Sequence, residues 1–376
     1  MTRLSILDLA PVVSGGTARD AVRNTVDLAR RAERAGYHRY WLAEHHLAEG
    51  VASSAPAVLI GAVAAATERI RVGSGAVQLG HQTALAVVEQ FGTLDALYPG
   101  RIDLGLGRSG QRTKELRAAA GSPPPAVPAV PAEPRVVHGL LIPPPFSYAS
   151  LAGSPLFRLH ASLLQQPGAE SPDFAEQVDD IQAFIAGSYR SAEGHAAHAQ
   201  PGEGAEVELW ILGSSGGQSA QVAGERGLPF AANYHVAPSA VLEAVEAYRD
   251  AFKPSAVLSA PHVMVSADVV VAATDEEARR IAAPYGLWVR DIRTGTGAPP
   301  FPSPLEAAAH VWTAADRELV ADRVDTQFAG SPGTVADRLR VLRDATGADE
   351  LLVTTITHDH EDRARSFELL AAAWRD

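Results

Sequence analysis

No cysteine occurs among the 376 residues. Disulfides, thiolate metal sites and a cysteine nucleophile are therefore excluded. No apolar run reaches the roughly 18 residues that a membrane-crossing helix needs. The run at 4–10 is too short for the hydrophobic part of a secretion signal, so a cytoplasmic location is expected. Positive charge is scarce too: 32 Lys and Arg against 44 Asp and Glu leave a net charge of −12. That balance argues against a nucleic-acid or anionic-membrane partner, though not against a local basic pocket for one phosphate. What remains is enough for a soluble enzyme. Hydrophobic residues make up 46% and charged residues 20% of a chain long enough for a full core.

Eight apolar runs alternate with helical patterns. The runs lie at 4–10, 39–43, 69–79, 102–106, 207–212, 229–234, 262–273 and 350–355. Helical periodicity covers 17–35, 55–66, 83–97, 220–225, 238–252, 275–283, 334–345 and 364–374. Thr17, with Asp20 three residues on, reads as a capping pair and Gly36 as a stop. Ser53, Ser54 and Pro56 open the second helix. Strand–helix alternation at this spacing predicts parallel βαβ units. The expected fold class is α/β, a (β/α)8 TIM barrel with a long Pro-rich insertion after strand 4. The insertions fall at about 110–206 and 290–330 within a single domain spanning 1–376. Residues 121–146 contain nine prolines and no period, and read as lying outside the core. Residues 173–185 read as a helix, and 295–304 as a second Pro/Gly-rich stretch.

In such a barrel, chemistry belongs at the carboxyl ends of the strands. Strand two, Tyr40-Trp41-Leu42-Ala43, ends in Glu44-His45-His46. Consecutive strand residues point to opposite faces, so one histidine should face a ligand. The plainer alternative packs one histidine in the core and hydrogen-bonds the other at the surface. Glu44 reads as orienting a histidine or a barrel-bottom arginine. Gly105-Leu106-Gly107-Arg108-Ser109-Gly110 matches G-x-G-x-x-G. A Rossmann site would need an acidic strand end about twenty residues later. That region is Pro-rich, so the glycines read as a tight turn that offers Arg108 to an anion. Gly213-Ser214-Ser215-Gly216-Gly217 ends strand five and opens a helix, which suits either a phosphate or a Ser-capped turn. Strands four and five are neighbours in a barrel, so Arg108 and this loop could grip one phosphate. His358-Asp359-His360-Glu361 carries two histidines at a ligand-like spacing. It lacks a third ligand set and reads as the start of a helix, so no metal is expected.

Together these motifs resemble the bacterial luciferase-like flavin monooxygenases. The resemblance rests on 40–46, Gln90-Phe91-Gly92-Thr93-Leu94, Tyr98-Pro99-Gly100-Arg101-Ile102-Asp103-Leu104-Gly105-Leu106-Gly107-Arg108 and Leu212-Gly213-Ser214-Ser215. Gly330-Ser331-Pro332-Gly333-Thr334-Val335 and Gly347-Ala348-Asp349-Glu350-Leu351-Leu352-Val353 are similar too. It implies a barrel that binds FMN, usually as a homodimer, with reduced FMN supplied by a separate reductase. It implies that O2 gives a flavin C4a-peroxide, which oxygenates a small substrate such as an aldehyde, a ketone or a natural-product-like molecule. By the same likeness His45 is the acid/base, with Glu44 and His46 in support. Gly107, Arg108, Gly213, Ser214, Ser215 and Ser219 fall where the family holds the cofactor. Gly75-Ala76 falls where the family has a non-proline cis peptide under the flavin ring. Luciferase's reactive cysteine has no counterpart, and light emission is not implied. Three rivals stand beside this reading. They are an oxidoreductase using the deazaflavin F420 on the same barrel, a metal-dependent hydrolase using His358 and His360, and a non-catalytic flavin-binding protein.

Overall fold

The computed structural model describes residues 2–108, 133–146, 159, 162–166, 168–295 and 297–375. Its first half runs β1 Arg3–Asp8, α1 Ala18–Ala35, β2 Arg39–Leu42, α2 Pro56–Ala66, β3 Arg71–Ser74, β4 Val77–Gln78, α3 Ala84–Leu97 and β5 Ile102–Gly107. A hairpin follows, β6 Arg135–Val137 and β7 Leu140–Ile142, then α4 Phe174–Ile185. Next come β8 Glu208–Gly213, α5 Gln218–Glu225, β9 Phe230–Asn233, α6 Val241–Ala251, β10 Val263–Val271 and α7 Asp275–Ala282. The chain finishes with α8 Pro284–Arg293, α9 Pro304–Ala309, α10 Ala314–Val324, β11 Phe328–Gly330, α11 Pro332–Thr346, β12 Glu350–Thr354 and α12 His360–Arg375.

Eight strands close into a parallel ring in the order β1, β2, β3, β5, β8, β9, β10, β12, with β12 returning to β1. Register and alternation separate two cores. Outward residues such as Ile6, Tyr40 and Leu104 pack beneath the helices. Inward residues stack in layers along the axis. Arg39, Asp103, Glu208 and Glu350 make the bottom layer. Above them Trp41 and Trp210 meet edge to face at 5.3 Å and plug the middle with Leu7, Met264 and Leu352. The Trp41 indole N–H donates to Asp103 at 2.8 Å, so the plug is fixed to the layer below.

Local signals act where expected at several ends. Thr17 caps α1 by accepting from the Asp20 N–H, and Gly36 closes it in the left-handed region at φ 88°. Asp173 caps α4. Helix α2 differs: Pro56 holds its first turn, and its N-cap, Ala55, makes no side-chain bond. The Ser53 hydroxyl instead donates to the Ala43 carbonyl, tying this loop to the end of β2.

Two expectations need correction. The run 69–79 is not one strand: β3 ends at Ser74, the Gly75–Ala76 peptide is cis, and β4 follows. The proline-rich region is not wholly outside the core, because Leu140 and Ile142 of β7 are buried in it. Alternation within a three-residue strand is too short to read between prolines. Within region 290–330, Phe301 and Val320 join Trp288 in the barrel's inner core, and β11 pairs with the end of β10. Among the described residues no helix is long and apolar enough to cross a membrane.

Candidate active site

The upper rim is shaped by what the inward positions lack. They are Gly73 on β3, Gly75 just after it, and Gly105 and Gly107 on β5, so backbone rather than side chain faces the axis. A Cβ on Gly105 would stand 2.1 Å from the Ser74 carbonyl oxygen. One on Gly75 would stand 2.8 Å from Leu7 and 3.2 Å from Trp41. These contacts leave a flat shelf, with Gly75 and Ala76 on one side and Gly107 on the other.

Beside the shelf β2 runs into Glu44-His45-His46. Glu44 is buried, and a buried carboxylate must be satisfied. Its Oε1 accepts from His46 Nε2 at 2.8 Å, and its Oε2 accepts from the Gln78 backbone N–H at 2.8 Å. Glu44 thus positions His46 and β4, and it does not reach the barrel-bottom Arg39. His46 leans edge-on against His81 at 6.2 Å. Both line a cavity of about 630 Å3 against α2 and α3. His45 turns the other way. Neither of its ring nitrogens has a hydrogen-bond partner among the described residues. Surrounding protein lowers its pKa to about 4, and the His46 charge adds to this. Solvent still reaches the ring in this structure, which limits the depression but not its direction. At neutral pH His45 is an uncharged imidazole, free to take or give a proton. Leu47, at φ 57°, then carries the chain away.

The third corner lies over β5 and β8. Arg108 Nη1 donates to Gln218 Oε1 at 3.0 Å. A Cβ on Gly217 would stand 3.8 Å from Arg108 Nη2 and 3.4 Å from the Ser215 hydroxyl. Arg108, the half-buried Ser214 and Ser215, and the first turn of α5 therefore converge. A guanidinium, hydroxyls and helix N–H groups form a donor set suited to a phosphate. Gly213 packs on Phe230, and Ser219 is buried behind it. Ser109 and Gly110, the rest of the glycine motif, lie outside the described residues.

Sequence reasoning missed the wall facing the shelf. His235 follows β9, and Ser266 and Asp268 point inward from β10. His235 Nδ1 and the Ser266 hydroxyl are 2.7 Å apart. The Asp268 carboxylate accepts from Gln327 Nε2 at 2.9 Å. Tyr285 of α8 accepts from Arg323 of α10 at 2.6 Å. The available signal was the period-two series Met264, Ser266, Asp268, which puts polar groups on the inner face of a fully buried strand.

Burial raises the Asp268 pKa from 3.8 to about 6, despite the Gln327 hydrogen bond and the nearby Arg323 charge. The native state therefore favours the protonated acid. That stabilisation is complete below pH 3.8 and is lost as pH rises through about 6. The span corresponds to about 3 kcal/mol. Asp268→Asn, which does not titrate, should gain about 2–3 kcal/mol on the parent between pH 4 and pH 7.5. Urea unfolding at the two pH values checks this, and an unchanged gap would mean that Asp268 titrates like an exposed carboxyl.

His358 and His360 part company. His358 Nε2 donates to the Ser14 carbonyl at 3.0 Å, and His360 Nε2 to Asp27 at 2.9 Å. Asp27, His360 and Glu361 do lie close enough to share an ion. Arg31 already pairs with Glu361 there, at 2.8 Å. Asp359 accepts from the Glu361 and Asp362 N–H groups and so starts α12.

Comparison with known proteins gives a consistent picture. The family model described as luciferase-like monooxygenase matches residues 2–129 and 168–350. A luciferase-like monooxygenase of Escherichia coli (strain K12) is 37% identical over 369 residues, covering 97% of this chain and 95% of its own. The crystal structure of apo-MsnO8 superposes with a TM-score of 0.77 at 32% identity, covering 100% of this chain and 98% of that one. The oxygenating constituent of 3,6-diketocamphane monooxygenase of Pseudomonas putida, in complex with FMN, shares the fold. Its TM-score is 0.63 at 20% identity, with 99% and 97% coverage.

Proposed function

Because the chain belongs to the luciferase-like monooxygenase family, we propose that it is an FMN-dependent monooxygenase acting on a small organic substrate. The observation that carries this reading is the convergence of Arg108 and the Gly213–Gly217 loop at one end of a glycine shelf that has His45 at its other side. When bound, reduced FMN supplies the electrons that make O2 an oxygenating agent.

The chain's own residues would do the rest. Arg108, Ser214, Ser215 and the α5 N-terminus would hold the phosphate. Gly75, Ala76 and Gly107 would lie against the ring. The hydrophobic layer of Trp288 and Phe301 would keep water from the mouth. His45 would pass a proton to or from the reacting oxygen, with Glu44 fixing His46 and β4 behind it. The electrons would come from a separate flavin reductase. A second copy of the chain is the proposed structural partner. Helix α2 supports this, since it carries no charged residue and leaves Val58 73% exposed.

Arg108→Ala is expected to raise the FMN dissociation constant about 10- to 100-fold, the worth of charge-assisted phosphate bonds. Fluorescence titration measures it, and an unchanged constant would remove Arg108 from the site. The same titration with F420 decides between the two cofactors. Oxygen consumption with reduced FMN and a panel of aldehydes and ketones, with product mass analysis for one added oxygen, tests the activity. Binding without turnover on any of them would favour a non-catalytic flavin carrier.

A further inference from the structure

We propose that His235 is a substrate-binding residue, its Nε2 N–H donating to the carbonyl oxygen of an uncharged aldehyde or ketone. This rests on the reading of the site given above. In the closed ring β9 stands four strands from β2, so His235 faces His45 across the mouth. A flat ring on the β3–β5 shelf would leave the space between them for the molecule to be oxidised.

The chemistry of the wall selects the ligand. His235 Nδ1 is committed to the Ser266 hydroxyl at 2.7 Å, while its Nε2 has no partner among the described residues. A neutral imidazole has one donor and one acceptor nitrogen. With the Ser266 hydroxyl as the donor to Nδ1, the proton sits on Nε2, and Ser266 is a positioning residue. Burial, first of all, and then the charges of Arg323 and His45 keep His235 neutral, with a pKa of about 3. Asp268 is held by Gln327, and Arg323 by Tyr285. The donor that His235 offers a ligand is itself uncharged, so it pairs with an uncharged acceptor without calling for a counter-charge. Leu9, Leu212 and Ile356 belong to the apolar inner core of the barrel. An apolar body with one neutral acceptor fits such a site.

The test is calorimetric titration of 2-octanone into the full-length protein, with FMN titrated separately. His235→Ala should bind 2-octanone about tenfold more weakly than the parent, the upper range for one hydrogen bond. His235→Gln, which keeps an N–H donor near the Nε2 position, should recover most of that loss and also shows that the site still folds. FMN affinity should be equal in all three proteins. The inference is overturned if the parent does not bind 2-octanone, if His235→Ala binds it as tightly as the parent, or if His235→Ala loses FMN binding in parallel. A parent that binds FMN but no ketone overturns this inference alone. Ketone binding through His235 without FMN binding overturns the flavin reading and supports this one.

Discussion

His45→Ala is expected to bind FMN as tightly as the parent and to lose about 10²–10⁴-fold in kcat, the usual worth of a positioned acid/base. The His45 ring holds no other element in place. It makes no hydrogen bond among the described residues, so removing it breaks no structural contact and leaves no buried polar group stranded. Its backbone N–H, which donates to the Ser53 carbonyl at 2.8 Å, is untouched by the substitution. Melting temperature should therefore hardly change. The pH dependence adds a second measurement. The surrounding protein lowers the His45 pKa to about 4, so the imidazole is neutral at neutral pH. A neutral His45 that must accept a proton should place an acid limb of kcat/KM near pH 4, and the limb should vanish in His45→Ala. Parent-like turnover in His45→Ala would take His45 out of the mechanism. Loss of FMN affinity in step with turnover would make it a cofactor-binding residue.

The near half of this site was legible because it is local in sequence. Glu44-His45-His46 sits at a strand end, Arg108 in a glycine turn, and Ser214-Ser215 at a helix start. In each case one short stretch carries both the candidate residues and their placement. The opposite wall was not legible, for a physical reason. His235, Asp268, Tyr285 and Arg323 come from four elements separated by up to 88 residues, and they meet only when the ring closes. Asp268 also stands in a strand whose other residues are mostly apolar, where one acid is easily read as noise. The hairpin β6–β7 was hidden differently. Its two buried anchors, Leu140 and Ile142, lie among prolines that mark irregular chain, while Tyr234 fixes it from outside by donating to the Leu141 carbonyl at 2.8 Å. Glu44 was half legible: its role as an orienting group could be read, but not its choice of His46 over Arg39.

That choice leaves the bottom of the barrel to a separate charge cluster, and there the largest loss of stability is expected. Arg39→Ala should cost about 3–5 kcal/mol at neutral pH, enough to unfold a marginal protein. Arg39 is 3% exposed and bonds Asp103 at 2.8 Å, Glu208 at 2.7 Å and Glu350 at 3.1 Å. Its guanidinium also lies 5.0 Å from the Trp210 ring centre. Asp103 keeps Arg71 as a second partner at 2.6 Å. Among the described residues Glu350 keeps only the Ser5 hydroxyl, and burial already pushes its pKa up. Removing Arg39 would strand a carboxylate in a low-dielectric core. A carboxyl with a raised pKa favours the native state below its ordinary value and loses that advantage as pH rises. The deficit of Arg39→Ala should therefore shrink toward pH 4–5, as Glu350 becomes protonated, and widen toward pH 8. Double replacement by Arg39→Met and Glu350→Leu should cost less than Arg39→Met alone, because no charge is left unpaired. Urea unfolding of the three variants at pH 5 and pH 8 reads all of this. A deficit that is independent of pH would mean that Arg39 acts through its packing on Trp210 rather than through its charge.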